Sequence, residues 1–229
     1  MKIISVRKGF TADHSSTSYE FLAIDEPLNQ EEINKVSSLS SRANPDNRAV
    51  KFAYNGDFND LPGGWWPLME KHYDILYSES YDWWLFAVAF SDSENQQEIS
   101  RYAFDGLEDL GVNIDIIEDR IIVSFNCVLE YGEAYEILDS NTNNYGYKNK
   151  EYDLEDYLTD DPLFQLLADI RNQLLDGDYR VFDVFWHEYG EPLYSQEEIE
   201  DLDLPYSNEF DYDSLSDNLQ YLSRILRRV

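Results

Sequence analysis

One short segment near the beginning of the chain combines the residue types of hydrolytic catalysis. Asp13, His14, Ser15 and Ser16 place a carboxylate, an imidazole and two hydroxyl groups side by side. Catalytic triads are assembled from distant segments, because neighbouring side chains point in different directions. A polar loop between two strands is therefore the favoured interpretation. The alternative is a hydrolase that uses His14 with nearby carboxylates, and its candidate catalytic residues are Asp13, His14 and His72.

The sequence predicts neither a metal site nor a cofactor. A metal site needs several His, Cys or carboxylate ligands that converge, and HxxxH, HExxH and CxxC spacings are absent. The P-loop and the GxGxxG turn are absent as well. His72 falls on the apolar face of a predicted helix, which favours a core or boundary position. Cys127 shares a strand face with Ile121, Val123 and Phe125, which predicts a buried thiol rather than a nucleophile.

The charge of the chain limits the partners that it can bind. Its 229 residues include 47 acidic and 17 basic side chains, for a formal net charge of −30. Phosphates are bound by clustered Lys and Arg, so direct binding to nucleic acid is excluded. No apolar run approaches the roughly 20 residues that span a bilayer, which excludes a membrane protein. A single cysteine cannot form an internal disulfide and fits a reducing compartment, so we predict a cytoplasmic location.

Acidic and aromatic residues alternate in the second half of the chain. Between residues 151 and 217 there are 21 acidic side chains and two basic ones, Arg171 and Arg180. Carboxylates match a basic partner, and Tyr and Trp are enriched where proteins bind one another. The candidate partner-binding residues are Tyr152, Asp153, Glu197, Glu198, Glu200, Asp201, Asp203, Tyr206, Phe210, Asp211, Tyr212 and Asp213.

These features predict a non-enzymatic interaction or regulatory protein that binds a basic surface of another protein. A narrower alternative is a nucleic-acid mimic that inhibits a DNA- or RNA-binding enzyme. Duplex DNA carries one charge per ~1.7 Å, so a mimic must present closely spaced carboxylates. The five acids between residues 197 and 203 approach that density.

The sequence pattern of residues 1–130 predicts an α+β domain with a mostly antiparallel sheet and flanking helices. Helical spacing of apolar residues indicates helices over residues 29–41 and from Trp65 to Leu76. The run WWLFAVAF at residues 83–90 is apolar on both faces, as in a central strand that is covered on both sides. A two-residue turn at Glu118 and Asp119 predicts a hairpin, whose strands must be antiparallel. The predicted strands are residues 2–6, 18–24, 49–54, 83–90, 112–117 and 120–129.

The remainder of the chain predicts a polar acidic connection and then a small acidic helical domain. The connection covers residues 131–160, and the helical domain covers residues 161–229. An apolar stripe begins after Pro162 and ends at Gly177, a residue type that often follows a helix. Further helices are predicted over residues 181–190, 196–202 and 214–229.

Three short segments of the sequence resemble segments of uncharacterised bacterial proteins. They are DHSSTSYEF at residues 13–21, SESYDWW at residues 78–84 and LLDGDYR at residues 174–180. The resemblance implies a bacterial cytoplasmic origin. It implies no activity, no site residue and no fold.

The excess of negative charge predicts a stabilising effect of salt. Repulsion between carboxylates opposes the compact state. Added salt weakens this repulsion, because the screening length falls from ~10 Å at 0.1 M ionic strength to ~3 Å at 1 M. We expect the melting temperature to rise when sodium chloride is raised over this range, while affinity for a basic partner falls. Thermal unfolding and partner titration at several salt concentrations measure the two trends. An affinity that stays constant would mean that apolar contacts, rather than the acidic surface, hold the complex.

Overall fold

The structure is a computed structural model of the chain. It describes residues 16–55, 61, 63–80, 83–106, 109–129, 153–195, 199, 205–206 and 210–226. The predicted strand over residues 2–6 and the predicted helix over residues 196–202 therefore lie wholly or largely outside the described residues. No helix in these ranges is both long and apolar enough to cross a membrane.

Seven strands of the described residues form one antiparallel sheet in the order β2-β1-β3-β4-β7-β6-β5. Helices follow the strands along the chain, so the predicted α+β class is confirmed. The strands are β1 (Ser16–Leu22), β2 (Ala49–Asn55), β3 (Ile75–Ser80), β4 (Trp83–Ser91), β5 (Phe104–Asp105), β6 (Gly111–Ile117) and β7 (Arg120–Val128).

The helices of the described residues divide into two groups that cover opposite faces of the sheet. The helices are α1 (Gln30–Ser37), α2 (Trp66–Lys71), α3 (Gln96–Ile99), α4 (Leu154–Asp160), α5 (Pro162–Leu175), α6 (Arg180–Phe185) and α7 (Asp217–Ile225). Helices α1 and α2, which lie in connections between strands, cover one face, and α3 together with the helices after residue 153 covers the other. A π-helical turn (Trp186–Gly190) and a 3-10 turn (Glu191–Leu193) continue α6.

The central strand β4 is buried on both faces, as its sequence predicts. Trp84, Phe86 and Val88 point toward the apolar residues of α5 and α6. The alternate residues Leu85 and Ala87 point toward the core beneath α1 and α2. Since successive side chains of a strand point to opposite faces, only a strand covered on both sides can be apolar throughout.

Local sequence signals explain where several elements begin and turn. The Asn29 side chain accepts hydrogen bonds from the backbone N–H groups of Glu31 and Glu32, and the Glu32 side chain accepts one from the backbone N–H of Asn29, which forms a capping box. The hairpin between β6 and β7 turns at residues 118–119, and Glu118 adopts a φ of 56° there. The predicted hairpin is confirmed. The helix predicted over residues 29–41 forms but ends at Ser37.

Two local predictions are wrong. The helix that begins at Trp66 ends at Lys71, and Leu76 belongs to strand β3 instead. The stretch after residue 153, predicted as part of a polar connection, forms helix α4 and buries Tyr157. The predicted domain boundaries at residues 130 and 160 stay a prediction, because residues 130–152 lie outside the described residues. The described helices after residue 153 pack directly on the sheet.

A buried carboxylate joins three segments at one end of the sheet. Asp74 precedes β3 and is 5% exposed. Its Oδ2 accepts hydrogen bonds from the backbone N–H groups of Ile24 (2.7 Å) and Asp25 (3.0 Å). Its Oδ1 lies 3.0 Å from Nη2 of Arg120, the first residue of β7. Asp74 therefore fixes the turn after β1 against β3 and β7.

Two further arginines reach the same turn. Arg48 donates from Nη1 to the carbonyl oxygens of Ala23 (2.9 Å) and Ile24 (3.0 Å). Arg171 of α5 is buried, and its Nη2 lies 2.5 Å from Oδ2 of Asp25. The Arg171 Nε also donates to the backbone oxygen of Ala89 in β4. We name residues 23–26 the arginine-bound turn.

The Asp74→Ala substitution tests this junction. It leaves Arg120 without its counter-charge and two backbone N–H groups without their acceptor, so we expect the free energy of unfolding to fall by about 3–5 kcal/mol. The double variant D74A/R120M removes both charges, and its loss should be smaller than the sum of the two single losses. Urea denaturation measures all three variants, with the exposed Glu94→Gln as the control. Additive losses would contradict a coupled pair.

Candidate functional site

A cleft with a volume of about 290 Å³ lies beside the arginine-bound turn. Its wall combines charges of both signs with two apolar residues. The lining residues are Asp25, Glu26, Pro27, Leu28, Glu32, Lys71, His72, Asp74 and Arg120. Asp74 and Arg120 pair with each other, as described above. Asp25 pairs with Arg171, so the charged or titratable side chains that a ligand could engage in this cleft are Glu26, Glu32, Lys71 and His72.

His72 contacts a carboxylate in this cleft. Its Nδ1 lies 3.7 Å from Oε1 of Glu32 and has no hydrogen-bond partner. Partial burial lowers the pKa of His72, the Glu32 charge opposes that change, and Lys35 and Lys71 add to it. The sequence prediction of a boundary position agrees with a side chain that is 15% exposed.

Of the three catalytic candidates of the sequence analysis, only His72 lies within the described residues. Asp13 and His14 lie outside the described residues, so the hydrolase hypothesis stays a prediction. Within the described ranges, no three His, Cys, Asp or Glu side chains are placed to hold a metal ion. At 3.7 Å, Nδ1 of His72 and Oε1 of Glu32 are close enough for a charge interaction but too far apart for a hydrogen bond.

A second group of titratable side chains lies between the sheet and the helices. Tyr77 of β3 donates its hydroxyl hydrogen to Oδ2 of Asp161, at 2.8 Å, and both residues are buried. Asp161 uses its Oδ1 to cap α5, where it accepts from the N–H groups of Leu163 and Phe164. Tyr157 of α4 likewise donates to Asp46. Two tyrosine–aspartate hydrogen bonds thus attach α4 and α5 to the sheet side.

Glu20 and Glu79 extend this group along the sheet. Glu20 of β1 is buried and lies 2.5 Å from Nζ of Lys51 on β2. Burial raises the pKa of Glu79; the nearby Lys51 opposes that rise, and Glu20 adds to it. Burial also raises the pKa of Tyr77 well above its ordinary value, and the charges of Glu20 and Asp161 contribute. Tyr77 therefore keeps its proton and acts as a hydrogen-bond donor.

Several of the candidate partner-binding residues lie outside the described residues, namely Tyr152, Glu197, Glu198, Glu200, Asp201 and Asp203. Of the others, Tyr206 is 7% exposed, and its ring packs within the aromatic core. Phe210 stacks on the His187 ring, with centroids 4.4 Å apart. Tyr212 donates to the backbone oxygen of Gln220. The three rings thus make internal contacts, while Asp153, Asp211 and Asp213 are exposed.

The two basic side chains between residues 151 and 217 both make internal contacts. Arg171 is 4% exposed and pairs with Asp25. Arg180 forms a two-pronged contact with Asp178, at 2.8 Å from Nε and 2.6 Å from Nη2. Its Nη1 donates to the backbone oxygen of Ser214. The hydrogen bond from Arg180 is the main cause that lowers the pKa of Asp178.

Cys127 is fully buried, and burial raises the pKa of its thiol well above the ordinary value. The prediction of a buried thiol is confirmed. Its ring and aliphatic neighbours on β7 belong to the same core. A thiol in this setting is neither a nucleophile nor a metal ligand at neutral pH.

No family model, no curated protein and no solved structure matches this chain. The resemblance of three short phrases to bacterial proteins stays a prediction.

The substitution Glu79→Gln tests the effect of the raised pKa of Glu79 on stability. Because the folded-state pKa of Glu79 lies above its ordinary value of 4.5, the folded state binds more protons than the unfolded state just above pH 4.5. Stability from this group is thus complete below pH 4.5 and is lost as the pH rises through the folded-state pKa. A glutamine side chain does not ionise, so the E79Q variant does not lose this stability as the pH rises.

We therefore expect E79Q to be more stable than the natural chain at pH 7.5 and equal to it near pH 4. Denaturant unfolding at both pH values measures the difference, with the exposed Glu118→Gln as the control. A difference that is the same at both pH values would show that the ionisation of Glu79 has no part in it.

Proposed function

We propose that the protein is a non-enzymatic interaction or regulatory protein that binds a basic surface of a partner protein. The acidic helical region, residues 153–217, is the proposed contact. A cytoplasmic setting belongs to the same proposal, since a single buried cysteine needs no oxidising compartment.

The observation that carries this proposal is the internal use of both arginines in the acidic helical region. Arg171 is buried against Asp25, and Arg180 is bound to Asp178. Exposed carboxylates such as Glu155, Asp160 and Asp176 therefore lack a neighbouring arginine from this region. A surface with one sign of charge raises the rate of encounter with a partner of the opposite sign.

Rigid attachment of the acidic helices supports the proposal further. Asp161 and Tyr157 bind the sheet side through hydrogen bonds to Tyr77 and Asp46. Phe210 and Tyr212 anchor the later acidic segment on the helical core. The carboxylates of Asp211 and Asp213 are thus held outward on a fixed backbone, which lowers the entropy lost when a partner binds.

Two matched sets of substitutions test the proposal. The helical set is E155Q, D160N and D176N. The sheet set, which is taken from the connections between strands of the sheet, is E94Q, E98Q and E118Q. All six side chains belong to exposed residues, and each set removes three negative charges. We expect the helical set to weaken partner binding by about fivefold or more, and the sheet set to change it little, because close charges dominate steering.

Quantitative affinity purification from lysate of the native host compares the natural chain with both sets at about 50 mM and 500 mM sodium chloride. A partner should be retained at low salt by the natural chain and the sheet set, and released at high salt. Equal losses in both sets would mean that bulk charge alone causes retention, and no retained protein would contradict the proposal.

The nucleic-acid mimic is the narrower form of the same proposal. Asp156 and Asp160 are exposed and lie four residues apart on α4, which places them on one face of the helix, and the exposed Asp153 precedes the helix as its N-cap. Duplex DNA should then displace the captured partner in competition, whereas an uncharged polymer should not. A partner that binds the protein and DNA simultaneously would contradict mimicry.

A further inference from the structure

Three aromatic rings form a column that ends at the protein surface. Tyr206 and Trp186 are parallel, with centroids 4.5 Å apart and an interplanar angle of 3°. Tyr194 stacks on Trp186, with centroids 5.6 Å apart and an angle of 27°. Phe104 contacts both inner rings edge-on. We name Tyr206, Trp186 and Tyr194 the ring column.

The backbone of the π-helical turn makes room for the ring column. Gly190 lies beneath the Trp186 ring, and a Cβ at this position would come within 2.1 Å of the nearest ring atom. The Tyr206 hydroxyl donates to the backbone oxygen of Tyr102, which fixes the inner end. The inner two rings are 6% and 7% exposed, so the column is rigid at its base.

The outer end of the ring column is open. Tyr194 is 40% exposed, and the adjacent Leu193 is 38% exposed. Since one face of the Tyr194 ring packs on Trp186, the exposed part includes the opposite face. Intramolecular cation–π contacts occur at Tyr54 and Tyr221, and no cation of the described residues lies over Tyr194.

One carboxylate precedes this apolar tip in the chain. Glu191 begins the 3-10 turn that Tyr194 follows, and its side chain is 39% exposed. Its Oε2 lies 2.8 Å from Nδ1 of His187, while its Oε1 has no hydrogen-bond partner among the described residues. Asp183 is close enough to Tyr206 to help raise the pKa of that phenol. A second copy of this chain is a poor occupant, because two molecules of net charge −30 repel each other.

We infer that Tyr194 is the contact point for an arginine side chain of the basic partner. This inference rests on the proposed function and adds the type of side chain that is recognised. The guanidinium plane stacks on the open face of Tyr194, its charge is matched by Glu191, and its methylene groups cover Leu193. Arginine stacks on aromatic rings better than lysine, because its guanidinium is planar and more weakly hydrated.

Two peptides of equal charge test this inference. One has four Arg–Gly repeats and the other has four Lys–Gly repeats, and each carries a fluorescent label for anisotropy titration at low salt. We expect the natural chain to bind the arginine peptide about two- to fivefold more tightly than the lysine peptide. Tyr194→Ala and Tyr194→Leu should abolish this preference, and Tyr194→Phe should retain it.

The leucine variant keeps apolar contact with Trp186, so a loss of preference in both variants cannot come from a disturbed core alone. Leu175→Ala changes another side chain that is 39% exposed and should leave the preference intact. The helical set E155Q, D160N and D176N should weaken both peptides equally, which tests the proposed function separately. An unchanged preference in Tyr194→Leu would overturn the inference and leave the proposed function standing.

Discussion

The arginine-bound turn holds the two halves of the described structure together. It receives Arg48 from the segment before β2, Arg171 from α5, and, through Asp74, Arg120 from β7. The chain has only 17 basic side chains against 47 acidic ones, yet three of them meet at one turn. A guanidinium removed from water is stable only when its donors find acceptors, and here backbone oxygens and carboxylates supply them.

This use of arginine has a consequence for the surface. An arginine that binds one carboxylate and one backbone oxygen is no longer available to neutralise other carboxylates. The buried Arg171 stabilises the packing of α5 on β4 and pairs with the half-exposed Asp25, so the exposed acids of α4 gain no counter-charge from it. The same arginine contacts therefore stabilise the packing of the helices on the sheet and leave the exposed carboxylates of α4 without these positive charges.

The junction of sheet and helices shows the opposite arrangement, in which acids are buried. Asp161 and Glu20 are each less than 9% exposed, and each has a hydrogen-bonding or charged partner. In a medium of low polarisability an unpaired carboxylate would be costly, and neighbouring carboxylates raise the cost for one another. Tyr77 lowers this cost, because its phenol donates a hydrogen bond without adding charge.

The sequence predicts elements whose signals are local. The residues of β4, the capping box at Asn29 and the turn at residues 118–119 depend on neighbours in the chain, and each was identified. The end of α2 was missed because Leu76 fits a helical stripe as well as a strand, and pairing with β1 and β4 decides the matter. Helix α4 was missed because its sequence is polar and only Tyr157 is buried.

The site residues were harder to predict than the fold. The partners of Asp74 and Tyr77 are 46 to 84 residues distant in the chain, and one sequence carries no signal for such pairs. Tyr206 was assigned to a partner surface on the basis of its acidic neighbours, whereas its ring is buried against Trp186. Composition indicates that a segment is acidic and aromatic, and packing alone determines which rings point inward.

The order of elements along the chain also bears on how the protein is made. Within the described residues, the strands of the sheet end by residue 128, and most of the helices that cover one of its faces begin at residue 154 or later. A ribosome adds about 5–20 residues per second, so the last covering helix follows the sheet by roughly 5–20 seconds. During that interval the side chains of Phe86 and Phe125 are not yet covered by the helices that bury them in the folded protein. The nascent sheet is then a substrate for chaperones, and slow translation of the acidic helices would lengthen its exposure.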